Sequence, residues 1–118
     1  VTEHELTTTL RLHPAGPHVL TVTGELDHHT APRLRTALEE IELEAGSALV
    51  IDLSAVTYCD STGITVLVTA YHRTQAEGAS LALAGLTPDL TRVFTVVGLD
   101  QIFSFHPTAE DAVRALKS

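Results

Sequence analysis

Leu6, Thr8, Leu10 and Leu12 alternate with polar residues, and Leu20 and Val22 repeat the same two-residue period beyond His13-Pro14-Ala15-Gly16-Pro17-His18. Alternation at period two is the mark of a strand with one buried face, so two strands joined as a hairpin are expected. The period then lengthens. Thr30 can cap a helix that has Pro32 in its first turn, carries Leu34, Leu38 and Ile41 on one face, and is ended by Gly46. Ala48 to Leu53 is apolar except for Asp52, the pattern of a central strand covered on both sides. Ile64, Leu67, Val68 and Tyr71 return to helical spacing until Gly78, and Ser80 to Ala84 reads as another strand. Thr87-Pro88-Asp89 starts a helix whose buried stripe is Leu90, Val93, Phe94 and Val97, with Gly98 as its stop. Ile102 to Phe105 gives a last short strand, and Thr108-Ala109-Glu110-Asp111 has the form of a capping box before Val113 and Leu116.

The predicted order is strand, strand, helix, strand, helix, strand, helix, strand, helix. That is an α/β fold with a mixed β-sheet, an opening hairpin, α-helices packed on it and right-handed crossovers between its parallel strands. No internal repeat, low-complexity tract or linker interrupts it.

Composition narrows the function classes. At 118 residues and 44% hydrophobic content the chain suits one domain with a real core. Fifteen acidic residues face seven basic ones, for a formal charge of -8, so the chain offers no basic surface for phosphate backbones; nucleic acid and anionic membrane are poor partners. The Glu39, Glu40, Glu42 and Glu44 run reads as a solvated helix face. Cys59, the single cysteine, excludes an internal disulfide and fits a reducing compartment. Val1-Thr2-Glu3-His4-Glu5 is acidic and no apolar run reaches membrane-spanning length, so neither export nor insertion is signalled, a cytoplasmic protein is expected, and the missing initiator Met suggests a trimmed chain.

The chemistry concentrates in Asp60-Ser61-Thr62-Gly63, which opens the Ile64 to Glu77 helix. Free N–H groups and the positive end of the macrodipole make such a position a natural seat for phosphate, bound or covalent. Helix capping alone accounts for one serine or aspartate here. Three candidate caps in a row exceed what one helix needs; if Asp60 caps, the Ser61 hydroxyl is left free and exposed. Gly63 leaves the turn without side-chain bulk, room for another protein's backbone. Thr23-Gly24-Glu25-Leu26-Asp27-His28-His29-Thr30-Ala31 is a second polar signature, in which Asp27 reads as an exposed turn aspartate that costs little folding free energy to remove. His28 and His29 are adjacent, point apart, and make poor metal ligands. Cys59 has the position of an inert buried cysteine. An enzyme with Ser61 as nucleophile lacks support: there is no Gly-x-Ser-x-Gly elbow, no assigned base and no phosphate-binding glycine loop. The serine looks like a substrate rather than a catalyst.

These two signatures, in this order and spacing, resemble the STAS-domain anti-sigma factor antagonists of bacteria. The resemblance covers nearly the whole chain and implies one STAS domain over residues 1–118. It implies that unmodified protein binds an anti-sigma factor and frees a sigma factor, and that phosphorylation ends the binding. Ser61 is the match to the acceptor serine, with Thr62 as the alternative. Asp27, Asp60, Ser61, Thr62 and Gly63 are the implied partner-binding residues, Asp27 through a basic residue of the partner and with weaker support from Glu25. The implied partners are an anti-sigma factor that is itself a serine kinase of the histidine-kinase-like ATPase fold, and a PP2C-type phosphatase. ATP and magnesium belong to those partners, so the chain needs no cofactor or metal of its own. Cys59 stands where relatives carry a bulkier apolar residue. The alternatives are a nucleotide-binding STAS sensor and a scaffold module that is never phosphorylated.

Overall fold

A computed structural model of the chain describes residues 5–117, the side chain of Lys117 excepted; of the N-terminal residues read above for export signals, Val1 to His4 lie outside them. The elements follow the predicted order. They are β1 (Leu6–Leu12), β2 (His18–Leu26), α1 (Ala31–Glu39), β3 (Ala48–Cys59), α2 (Ser61–Glu77), β4 (Ser80–Ala84), α3 (Pro88–Val96), a single 3-10 turn (Leu99–Gln101), β5 (Ser104–His106) and α4 (Ala109–Lys117). The five strands lie side by side in sequence order. β1 runs antiparallel to β2 as the expected hairpin, and β2 through β5 are mutually parallel.

The sheet divides two cores. On one face α1, α2 and α3 bury Leu34, Leu38, Leu67, Leu90 and Phe94 against Leu20, Leu49, Ile51 and Leu83. On the other, α4 alone sets Ala112 and Val113 against Val19, Val50, Ala82 and Ala84. Each fully buried Leu, Val or Phe side chain is worth roughly 1.5–3 kcal/mol, so the three-helix face carries most of the burial.

Four departures from the sequence pattern have local causes. α1 stops at Glu39 rather than Gly46, because Ile41 N–H bonds Leu38 O at 3.2 Å, a tightened turn, and Arg73 of α2 donates to the carbonyls of Leu38 and Ile41. β3 extends past Leu53 to Cys59, following β2 to its end through two register shifts that break the alternation. On α3 only Leu90 and Phe94 are buried, while Val93 and Val97 remain 43% and 56% exposed, because no element among the described residues covers that flank. β5 begins at Ser104, since the 3-10 turn after Gly98 uses up the residues before it.

Candidate functional site

The site forms where β2 and β3 end together. Both strands run parallel and finish side by side at Leu26 and Cys59, and Asp60 N–H donates to Leu26 O at 3.1 Å. The loop after β2 and the start of α2 are thereby held against each other at the C-terminal edge of the sheet.

At the start of α2, Asp60 takes the cap. Its Oδ1 accepts from the N–H groups of Thr62 (2.9 Å) and Gly63 (3.1 Å), satisfying two donors that have no partner within the helix. Ile64 N–H then bonds Asp60 O at 3.1 Å as the helix begins. Ser61 is the first helical residue and is exposed; its backbone oxygen accepts from Thr65 Oγ1 at 2.9 Å, and its own hydroxyl makes no hydrogen bond among the described residues. Thr62 is half-buried.

Gly63 departs from the expectation made of it. It is buried, and a Cβ at this position would stand 2.5 Å from Leu26 Cγ and 3.0 Å from Cys59 Sγ. The missing side chain therefore lets α2 sit down on the ends of β2 and β3; it opens no space toward a partner. Cys59 lies in the same contact. Burial, and secondarily the charge of Asp60, push its thiol up to about 12 from an ordinary 9.0, so it is protonated and unreactive at neutral pH.

Asp27 also departs from expectation. It is 4% exposed rather than open to solvent, and it organises the turn into α1. Its Oδ1 accepts from His29 N–H (2.9 Å) and Thr30 N–H (3.1 Å), while its own N–H donates to Thr30 Oγ1 at 2.9 Å. Thr30, expected as the cap of α1, makes no side-chain cap bond; its hydroxyl donates instead to Glu25 O at 2.7 Å. Asp27 caps the turn, and Thr30 is the post to which Asp27 is tied.

An open cleft of about 390 Å³ lies between these loops, lined by Glu25, Asp27, His28, His29, Tyr58 and Asp60. Three carboxylates converge there, an environment suited to a cationic side chain. The rings of His28 and His29, expected to point apart, lie together instead, 4.0 Å apart at their centres and tilted by 37°, and no group of three or more metal-ligating side chains suited to a metal occurs among the described residues. Tyr58 and the histidine pair were not anticipated in this cleft. Tyr58 is hidden in the sequence by the irregular end of β3, whereas the adjacency of Glu25 and Asp27 to the histidines is itself a legible signal. No helix of the described residues is long and apolar enough to cross a membrane.

The STAS domain model matches residues 11–112. The anti-sigma-B factor antagonist of Listeria monocytogenes is 42% identical over 81 residues, which are 69% of this chain and 71% of that protein. An anti-sigma factor antagonist from Mycobacterium paratuberculosis superposes with a TM-score of 0.88 at 33% identity, covering 99% of this chain and 98% of that one. The Bacillus cell fate determinant SpoIIAA, in its phosphorylated form, shares the fold with a TM-score of 0.68 at 21% identity, over 93% of this chain and 99% of its own. With its five-stranded mixed sheet, four helices and matched span, the chain belongs to the STAS domain family.

Proposed function

We propose that this chain is an anti-sigma factor antagonist: a binding regulator, not an enzyme, that holds an anti-sigma factor while unmodified and releases it when Ser61 is phosphorylated. The observation that carries the reading is the division of labour at α2. Asp60 satisfies the helix N-terminus, so the exposed Ser61 hydroxyl has no structural duty and is free to accept a phosphoryl group. The relatives named anti-sigma factor antagonists, and the phosphorylated fold neighbour, support the same reading. The donor would be the anti-sigma factor itself, acting as a serine kinase of the histidine-kinase-like ATPase fold with its own ATP and magnesium; a PP2C-type phosphatase would reset Ser61. Asp27 and Asp60 in the acidic cleft supply the complement to a basic residue of that partner.

Phosphate adds about -1.5 to -2 charges at pH 7. At about 6 Å from a partner carboxylate and an effective dielectric of ~20, each unit costs ~3 kcal/mol, roughly a hundredfold in affinity. The test is incubation with labelled ATP, alone and with the cognate anti-sigma factor, followed by mapping of the phosphopeptide in the wild type and in Ser61→Ala. Label on Ser61 only when the kinase is present, and Ser61→Ala that binds the anti-sigma factor under all conditions, are expected. Full labelling of Ser61→Ala at Thr62 would sink the assignment, and nucleotide uptake without any kinase would favour a nucleotide sensor instead.

A further inference from the structure

β1 is the outer strand of the sheet, and its backbone phase can be read from the hairpin. His13 N–H donates to Pro17 O at 2.9 Å and Glu25 N–H to Glu5 O at 3.1 Å, bracketing a register that runs unbroken from Leu6 opposite Gly24 to Leu12 opposite His18. In an antiparallel ladder, hydrogen-bonded pairs alternate with non-bonded ones. The odd-numbered residues from Glu5 to Arg11 thus turn their backbone groups toward β2, and Leu6, Thr8, Leu10 and Leu12 turn theirs outward. Arg33 Nη1, reaching Leu6 O from outside at 3.2 Å, agrees with that phase. Of the usual edge protection the strand lacks proline, lysine and a bulge; it carries one charge, Arg11, and a covering contact from Arg33 at Leu6 O. Leu10 and Leu12 are 47% and 65% exposed along it.

We propose that this edge pairs with the same edge of a second copy, giving a two-fold dimer with a continuous ten-stranded sheet whose axis passes through Thr8. An antiparallel pair of identical strands is isologous, so every contact occurs twice. With the axis at Thr8, the outward-facing backbone groups of Leu10 meet those of Leu6 of the second copy, and Arg11 stands opposite Glu5 of the second copy on the same sheet face. Moving the axis to Thr9 or Leu10 would set Arg11 against threonine instead. Opposite charges directly across strands stabilise the pair. Arg11 and Glu5 are both exposed, and neither has an ion pair among the described residues.

A second, independent self-complementarity lies on α1. Arg33, Thr36, Ala37 and Glu40, at i, i+3, i+4 and i+7, share with Thr8 the lining of an open groove of about 410 Å³ beside β1. The same axis, perpendicular to the sheet, brings the two α1 helices antiparallel on one face. Arg33 then faces Glu40 of the second copy, and the small Thr36 and Ala37 between them permit close approach. The carbonyl of Leu6 has two lone pairs and the guanidinium five donors, so the bond from Arg33 to Leu6 survives the pairing.

Sedimentation of the whole chain from about 5 to about 500 μM, at ~0.15 M ionic strength where the Debye length of ~8 Å screens the net charge, should show a concentration-dependent dimer. Thr8→Pro should abolish it with an unchanged circular dichroism spectrum, because the Thr8 N–H makes no bond to β2. Arg11→Glu should weaken dimerisation at least tenfold, and adding Glu5→Arg should restore it. On oxidation Thr8→Cys should cross-link to itself, as mapped by peptide mass, whereas Thr9→Cys, which faces Thr7, should not. A monomer throughout the range, an unweakened dimer in both Thr8→Pro and Arg11→Glu, or cross-linking through Thr9→Cys in preference would overturn the proposal.

Discussion

Asp27 holds a turn and also lines the acidic cleft, and substitution can separate the two roles. Its Oδ1 satisfies two N–H groups within a buried turn, so Asp27→Ala strands both donors, a cost of about 1–3 kcal/mol. Asp27→Asn keeps an acceptor oxygen and loses only the charge. The expected outcome is a lowered melting temperature for Asp27→Ala, a near-native one for Asp27→Asn, and reduced anti-sigma factor affinity in both; undiminished affinity in Asp27→Asn would confine the residue to folding. Cys59 gives a second residue-scale prediction. The unfolded chain loses the thiol proton near pH 9.0 and the folded chain only near about 12. The unfolded state therefore binds fewer protons between those values, so Cys59 leaves stability unchanged below about 9 and lowers it as pH rises toward 12. Cys59 is half-buried, so iodoacetamide at pH 8 should label it more slowly in native than in unfolded protein because its thiol stays protonated, and equal rates in the two states would contradict the raised pKa.

At the scale of elements, α2 is positioned by what its first turn lacks. Gly63→Ala drives a methyl into Leu26 and Cys59 in a packed region, an overpacking cost of about 1–3 kcal/mol, so the melting temperature should fall by roughly 4 °C per kcal/mol. A Gly63→Ala protein as stable as the wild type would mean that α2 can lift off the strands freely. The same helix ends α1, through Arg73 and the carbonyls of Leu38 and Ile41. That contact joins residues more than thirty positions apart, which is why the sequence pattern carried α1 on to Gly46: the helical spacing of Leu34 and Leu38 continues to Ile41, and only a partner from α2 interrupts it. The caps of the later helices, unlike that of α1, were legible. Thr87 Oγ1 accepts from Leu90 N–H at 3.2 Å and Thr108 Oγ1 from Asp111 N–H at 3.1 Å, each as its own few residues indicate. The side chain that Gly63 lacks points inward, and no spacing rule reveals that, because the direction depends on how α2 seats against Leu26.

For the whole molecule, element order and sheet composition follow from the alternation of periods two and 3.6, with glycine and proline as punctuation. What the pattern does not contain is which strand ends meet. The cleft exists because β2 and β3 are parallel neighbours that end together, and that brings Glu25 and Asp27 beside Tyr58 and Asp60. Phosphorylated and unmodified protein should show the same hydrogen-exchange protection in β2, β3 and α2. The added charge meets the favourable end of the α2 dipole, worth ~0.3–1 kcal/mol, and replaces no existing bond of the Ser61 hydroxyl. Global loss of protection on phosphorylation would contradict a switch that works at the surface. The cap made by Asp60 has a consequence for time as well. Under the proposed switch, a modification of Ser61 that breaks no bond needs no refolding before or after, so each cycle of marking and unmarking would be as fast as the enzymes that perform it, and the domain would retain no memory of how often it had been switched.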